Sequence, residues 1–239
     1  MVMAILGVLL IYTCYVCVHI WFFAKASRPL VDSARPYELK DSSLKRTMLV
    51  LGDSTAVGVG TSPDFSLAGL MSAYFSTSVE NYAQSGAITE DLGGQVYQAE
   101  NQHYDLILIQ IGANDIIHFR SLTAAAFELE QMLPILKRRS DRILLLTAGD
   151  VGNAKIFPWP LNLIISARTR DLRERFIAVA KKENVVYVDI YARPDIFSSD
   201  PKRYYAPDML HLSADGYGYW FSIVKEYVEK NWPEFATNK

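Results

Sequence analysis

A chain of 239 residues, half of them apolar or aromatic, is long enough to bury one sizeable core once its N-terminus is set aside. With 24 Lys and Arg against 26 Asp and Glu, the net charge of -2 offers no general attraction to phosphate backbones, and no zinc-finger, homeodomain or other nucleic-acid motif occurs. Nucleic acid is therefore not an expected partner. Cys14 and Cys17 are the only cysteines, and both lie in the apolar N-terminal run, which leaves the folded domain with no disulfide, thiol nucleophile or thiolate metal site.

Residues 2–24, VMAILGVLLIYTCYVCVHIWFFA, contain no Asp, Glu, Lys or Arg. Such a run matches the ~20 apolar residues that a helix needs to cross a bilayer core. The reading is a single-pass membrane anchor over 1–24, a linker over 25–45 rich in Pro, Ser and charge, and a domain over 46–236. The competing reading is a signal peptide cut after Ala26, giving a secreted product, because Ala24-Lys25-Ala26 has the small-x-small pattern of a cleavage site. Against cleavage, no basic residue precedes the run, and the run is longer than a signal h-region. Lys25, Arg28, Arg35, Lys40, Lys45 and Arg46 all follow the segment, so the positive-inside rule favours a cytoplasmic domain, the reverse of what a surface-directed enzyme needs. The side of the membrane stays open.

From Met48, the stretch MLVLGDSTAVGVG carries an apolar strand into Gly52-Asp53-Ser54 and then into small residues. That pattern predicts a buried strand ending in a tight turn into a helix. By itself the tripeptide reads as well as a turn with an N-capping Asp or Ser. Helical spacing follows over 64–75, then a strand over 78–83, a helix over 89–99 and the nearly continuous apolar strand 104–111. A helix over 122–137, a strand over 142–147, a helix over 164–182, a strand over 185–190 and a last helix over 213–231 complete the chain. Strands alternating with helices predict a three-layer α/β/α sandwich around a mainly parallel five-stranded sheet.

Ligands of such sheets bind beyond the carboxyl ends of the strands, so residues that carry chemistry should follow strands. Ser54 follows the first. The second leads into NYAQSGA, where Gly86 offers a backbone N–H, and the third into Gly112-Ala113-Asn114-Asp115, where Asn114 offers an amide with two donor hydrogens. Before the last helix sits Asp208-Met209-Leu210-His211. An imidazole can take the serine proton, Asp208 can turn back to hold the other ring nitrogen, and the N–H groups of Ser54 and Gly86 with the Asn114 side chain form three donors for an oxyanion.

This set, GDS, the glycine of NYAQSG, GAND and DMLH in this order, resembles the SGNH hydrolases, also called the GDSL esterase and lipase family, over residues 47–232. The resemblance implies a flavodoxin-like α/β/α fold, Ser54 as nucleophile, Gly86 and Asn114 as oxyanion donors, and Asp208 and His211 as the rest of a triad. It implies hydrolysis of carboxylic esters, lipid-like or short-chain, with neither metal nor organic cofactor. GDST stands where the family has GDSL, a change away from the nucleophile. A carbohydrate O-acetyl esterase or an acyltransferase would use the same triad, and a catalytically silent, membrane-tethered scaffold is the reading from another class. Among the remaining groups, Asp53 and Asp115 read as turn or loop acceptors, and His118, which follows GAND but has no carboxylate at comparable spacing, reads as lying outside the site rather than lining the cleft. Tyr217, Tyr219 and Trp220 read as core. Phe157-Pro158-Trp159-Pro160 reads as either a lip of the acyl pocket or a rigid packed loop.

Overall fold

The computed structural model describes residues 2–237. Its sheet is built from β1 (Arg46–Gly52), β2 (Thr77–Asn81), β3 (Leu106–Gln110), β4 (Ile143–Leu146) and β5 (Val186–Val188), all parallel, in the spatial order β2-β1-β3-β4-β5. The helices are α1 (Val2–Ser33), α2 (Ser54–Val57), α3 (Leu67–Phe75), α4 (Leu92–Gln98), α5 (Ala113–Ile117), α6 (Leu122–Lys137), α7 (Leu161–Glu183), α8 (Pro201–Tyr204), α9 (Ala214–Asn231) and α10 (Pro233–Thr237).

Parallel strands need crossovers, and the crossover helices cover both faces of the sheet. Along β1, Met48 and Val50 pack with Leu67 and Met71 of α3 and Val224 of α9, whereas Leu49 and Leu51 pack with Leu92 of α4, Leu129 of α6 and Phe176 of α7. Each of these strand side chains is at most 1% exposed. That two-sided burial explains why the strands read as unbroken apolar runs. At roughly 1.5 to 3 kcal/mol for each fully buried Leu, Ile or Met, the two layers supply the main favourable contribution to folding.

Two local features differ from the sequence reading. The apolar spacing over 64–75 is interrupted: a 3-10 turn over Pro63–Phe65 stops at Ser66, whose side chain accepts from the Gly69 N–H and starts α3 afresh. More consequentially, α1 does not end near Ala24. It runs to Ser33 through Pro29, which cannot donate to the carbonyl of Lys25. Phe23, Leu30, Val31 and Ala34 pack against the core, so this part of the N-terminal helix lies on the domain. Within α1, Leu10–Ser33 is a 24-residue stretch long and apolar enough for a membrane anchor or a signal sequence, with a mean hydropathy of 1.3 over its most apolar 18 residues.

The exit of β1 is the tightest point of the sheet. Gly52 has φ +140°, and a Cβ there would sit 1.9 Å from the carbonyl oxygen of Gln110, so no other residue fits without moving β3. Gln95 clamps this glycine, accepting from its N–H at 2.7 Å and donating to its carbonyl at 2.9 Å. The next residue, Asp53, caps α2 by accepting from the N–H and hydroxyl of Thr55. Asp53 is 1% exposed. Burial pushes its carboxyl from 3.8 to about 6, against the opposing pull of the Thr55 hydrogen bonds and of His211. A raised acid is a stabilising contribution present below 3.8 and lost as pH rises through about 6, because the buried carboxylate must then carry charge. Asp53→Asn keeps a capping acceptor and removes that charge. Denaturant unfolding should therefore show the stability of Asp53→Asn gaining on the natural protein by roughly 3 kcal/mol across this window. Parallel pH profiles for the two proteins would contradict the assignment.

Candidate active site

Ser54 is the first residue of α2, so its own N–H has no helical carbonyl to bond and its side chain stands at the carboxyl edge of β1. His211 approaches from the turn before α9. Its Nε2 lies 3.1 Å from Ser54 Oγ, and its Nδ1 lies 2.5 Å from Asp208 Oδ2. An ionised carboxylate can only accept, which places the ring hydrogen on Nδ1 and leaves Nε2 with a lone pair toward the serine hydroxyl. Asp208 is fully buried and His211 is 9% exposed.

The turn that presents this pair is held from several sides. Met209 sits in the left-handed region at φ +54°, an unusual place for a non-glycine residue. Its N–H donates to the Ala206 carbonyl, and the Ala206 N–H donates to the His211 carbonyl at 2.8 Å. Asp208 Oδ1 accepts from the N–H groups of Leu210 and His211, while Oδ2 accepts from the His211 ring and from the hydroxyl of Ser27 at 2.5 Å. Burial alone would lift the Asp208 carboxyl. The hydrogen bond and charge of His211, then the Ser27 hydroxyl and the His211 backbone, outweigh it and hold the group at about 2. A depressed acid stabilises the fold above its ordinary 3.8, and that stability is lost as pH falls toward about 2.

Asn114, at the start of α5, donates one amide hydrogen to the Ala87 carbonyl at 2.9 Å and lines the same cavity as Ser54 and His211. The second amide hydrogen has no acceptor among the described residues. Gly86 adjoins Ala87 in an exposed turn at φ +85°, and its N–H takes no acceptor among the described residues. It does not line the cavity. The structure thus brings Ser54, Asp208, His211 and Asn114 into one cluster and sets Gly86 beside it.

The cavity has a volume of about 310 Å³. Ile190, Phe197, Leu210, Leu212 and Trp220 give it an apolar wall, and Asn153, Arg193 and Asp195 a polar rim. Tyr217 is core, its hydroxyl donating to the Val59 carbonyl. Trp220 is core as well, 3% exposed, and together with the half-buried Tyr219 it also lines the cavity. His118 is exposed and lies outside the cavity lining. Asp115 is a loop acceptor, fully buried, bonded to Thr89 and to Arg120. The 157–160 loop does not line the cavity either: Phe157 packs on the core, and Trp159 meets Tyr12 of α1 edge-on at 6.4 Å. Ser27 is the site neighbour that no sequence signal marks, since it lies 181 residues from Asp208 in a stretch that reads as linker.

A serine hydroxyl facing an imidazole, which a buried carboxylate orients in turn, is the arrangement that can transfer an acyl group. Several known proteins share the scaffold. A GDSL-like esterase of Mycobacterium tuberculosis is 26% identical over 180 residues, 71% of this chain, and the chain spans 57% of that relative's length. The crystal structure of a phospholipase A1 from Streptomyces albidoflavus matches 76% of this chain and 99% of its own, with TM-score 0.58 and 18% identity. That of an acetylxylan esterase from Geobacillus stearothermophilus matches 77% of this chain and 94% of its own, with TM-score 0.56 and 20% identity. At such identities the two structures establish the common fold. The model of the GDSL-like lipase/acylhydrolase family matches residues 50–219, from β1 into α9, and this chain belongs to that family.

Proposed function

We propose that the protein hydrolyses carboxylic esters through an acyl-enzyme, with Ser54 as nucleophile, His211 as base and then acid, and Asp208 as the carboxylate that orients the ring and balances its charge. One observation carries this reading: an unbroken line of hydrogen bonds from Asp208 through His211 to Ser54 Oγ, ending at the wall of a mostly apolar cavity. As His211 Nε2 takes the hydroxyl proton, Oγ attacks the ester carbonyl. The protonated ring then delivers that proton to the departing alcohol. Water, activated by the same nitrogen, releases the acid. The Ser54 N–H, the spare hydrogen of Asn114 and the Gly86 N–H are the proposed donors to the oxyanion, each worth ~3 to 4 kcal/mol of barrier.

The apolar wall favours a lipid-like ester, and the volume, near the lower end of the ~300–1,000 Å³ usual for small-ligand pockets, favours a short to medium acyl group. The proposed anchor, α1, would keep the enzyme at a membrane where such esters occur, its length and hydropathy being the support. The polar rim supports a second reading, an acetyl group carried on a hydroxyl-rich carbohydrate, and an acceptor alcohol in place of water would make the enzyme an acyltransferase.

Ser54→Ala should lower hydrolysis of a short p-nitrophenyl ester by ~1,000-fold or more while the fold is retained. Full activity in that variant would overturn the proposal. Asn114→Ala should reduce kcat by ~100- to 1,000-fold with a smaller change in KM, as loss of a transition-state donor requires. A profile of ester chain length from acetyl to palmitoyl should rise beyond acetyl; a sharp acetyl preference would contradict the lipid reading and favour the carbohydrate ester.

A further inference from the structure

The contact between Ser27 and Asp208 links an N-terminal helix to a buried carboxylate at the other end of the chain. The helix is fixed to the domain along one face. Tyr12 meets Trp159 edge-on, His19 Nε2 donates to the Lys155 carbonyl at 2.8 Å, and Phe23, Leu30 and Val31 pack into the core layer. Positions 12, 19, 23, 27, 30 and 31 recur at the three-, four- and seven-residue intervals that share a helix face. Ser27 lies in the middle of that series and is half-buried, so its hydroxyl is held against Asp208 by the packing on either side.

A carboxylate has about four acceptor positions. Asp208 fills them with two backbone N–H groups, the His211 ring and Ser27, and it has no exposure to water that could replace a missing donor. Two of the four bonds share Oδ2, the oxygen that orients the imidazole. Removing the hydroxyl leaves that oxygen bonded to the ring alone, with one acceptor position of a buried carboxylate unfilled and one restraint on its direction gone. We propose that Ser27 is a positioning residue for the Ser54–His211–Asp208 relay, which makes the N-terminal helix a structural part of the active site. The proposal rests on the serine-esterase reading above. It also gives the N-terminal segment a second use: cleavage after Ala26 would leave Ser27 at a chain end, without the turns of helix that hold it on Asp208.

The test uses the full-length protein in detergent, a short p-nitrophenyl ester, and the pre-steady-state burst of p-nitrophenol to count competent sites. Ser27→Ala should lower kcat per competent site by about tenfold with KM within about twofold, the size expected for weakening one charge-assisted hydrogen bond. Ser27→Thr retains the hydroxyl and should recover kcat to within about threefold of the natural enzyme. Ser33→Ala, whose hydroxyl bonds only carbonyls of its own helix, should leave kcat unchanged. The proposal is overturned if Ser27→Ala has natural kcat per competent site, if it loses sites or melting temperature with kcat intact, or if Ser27→Thr is as impaired as Ser27→Ala. Activity surviving in Ser54→Ala would instead overturn the serine-esterase reading and leave the Ser27 contact without a relay to position.

Discussion

Ser54 stands where it does because β1 stops at a residue with no side chain. At Gly52 the backbone passes so near the Gln110 carbonyl that a methyl group would overlap it. The chain turns there, Asp53 caps the next four residues as a short helix, and the serine becomes the first residue of that helix, just beyond the sheet edge. β1 is hydrogen-bonded on both sides, to β2 and β3, so this edge cannot drift without disturbing three strands. The capping carboxylate remains buried despite the cost of its charge, and that cost is localised one residue from the hydroxyl.

The partners of the serine arrive from separate parts of the sequence, each fixed by a device of its own. The amide of Asn114 is pinned by the Ala87 carbonyl, which also ties the loop after β2 to the start of α5. His211 is set by a turn with a left-handed Met209 and by backbone bonds to Ala206, then by the carboxylate of Asp208. These are short-range constraints on a rigid scaffold, the condition under which hydrogen bonds at a reacting centre keep their direction. The cavity beside them combines an apolar wall with a polar rim.

Much of this was legible in the chain. Runs such as LVL in β1 and LILI in β3 announce strands covered on both faces, and the parallel order follows from the helices between them. The motifs after the strands point to Ser54 and Asn114, and DMLH before the last helix points to Asp208 and His211; the structure brings these four together. Other features were hidden for definite reasons. Ser66 breaks an apolar spacing that reads as one continuous helix, since its capping role depends on a hydrogen bond that periodicity does not carry. Trp220 is core and cavity wall at once, and nothing in its apolar stripe marks the second role. α1 was hardest to foresee: Pro29 and the charges around it resemble a linker, and only the packing of Phe23, Leu30 and Val31 shows that the helix continues onto the domain.

The central claim is that Ser54 is an activated nucleophile. A fluorophosphonate probe measures this directly, because it forms a stable covalent adduct only with a serine whose proton a neighbouring base removes. Incubated with the folded full-length protein and mapped by peptide mass spectrometry, the probe should be found on Ser54, with labelling lost in His211→Ala. A folded sample that takes up no probe, or takes it up at another serine, would contradict the account.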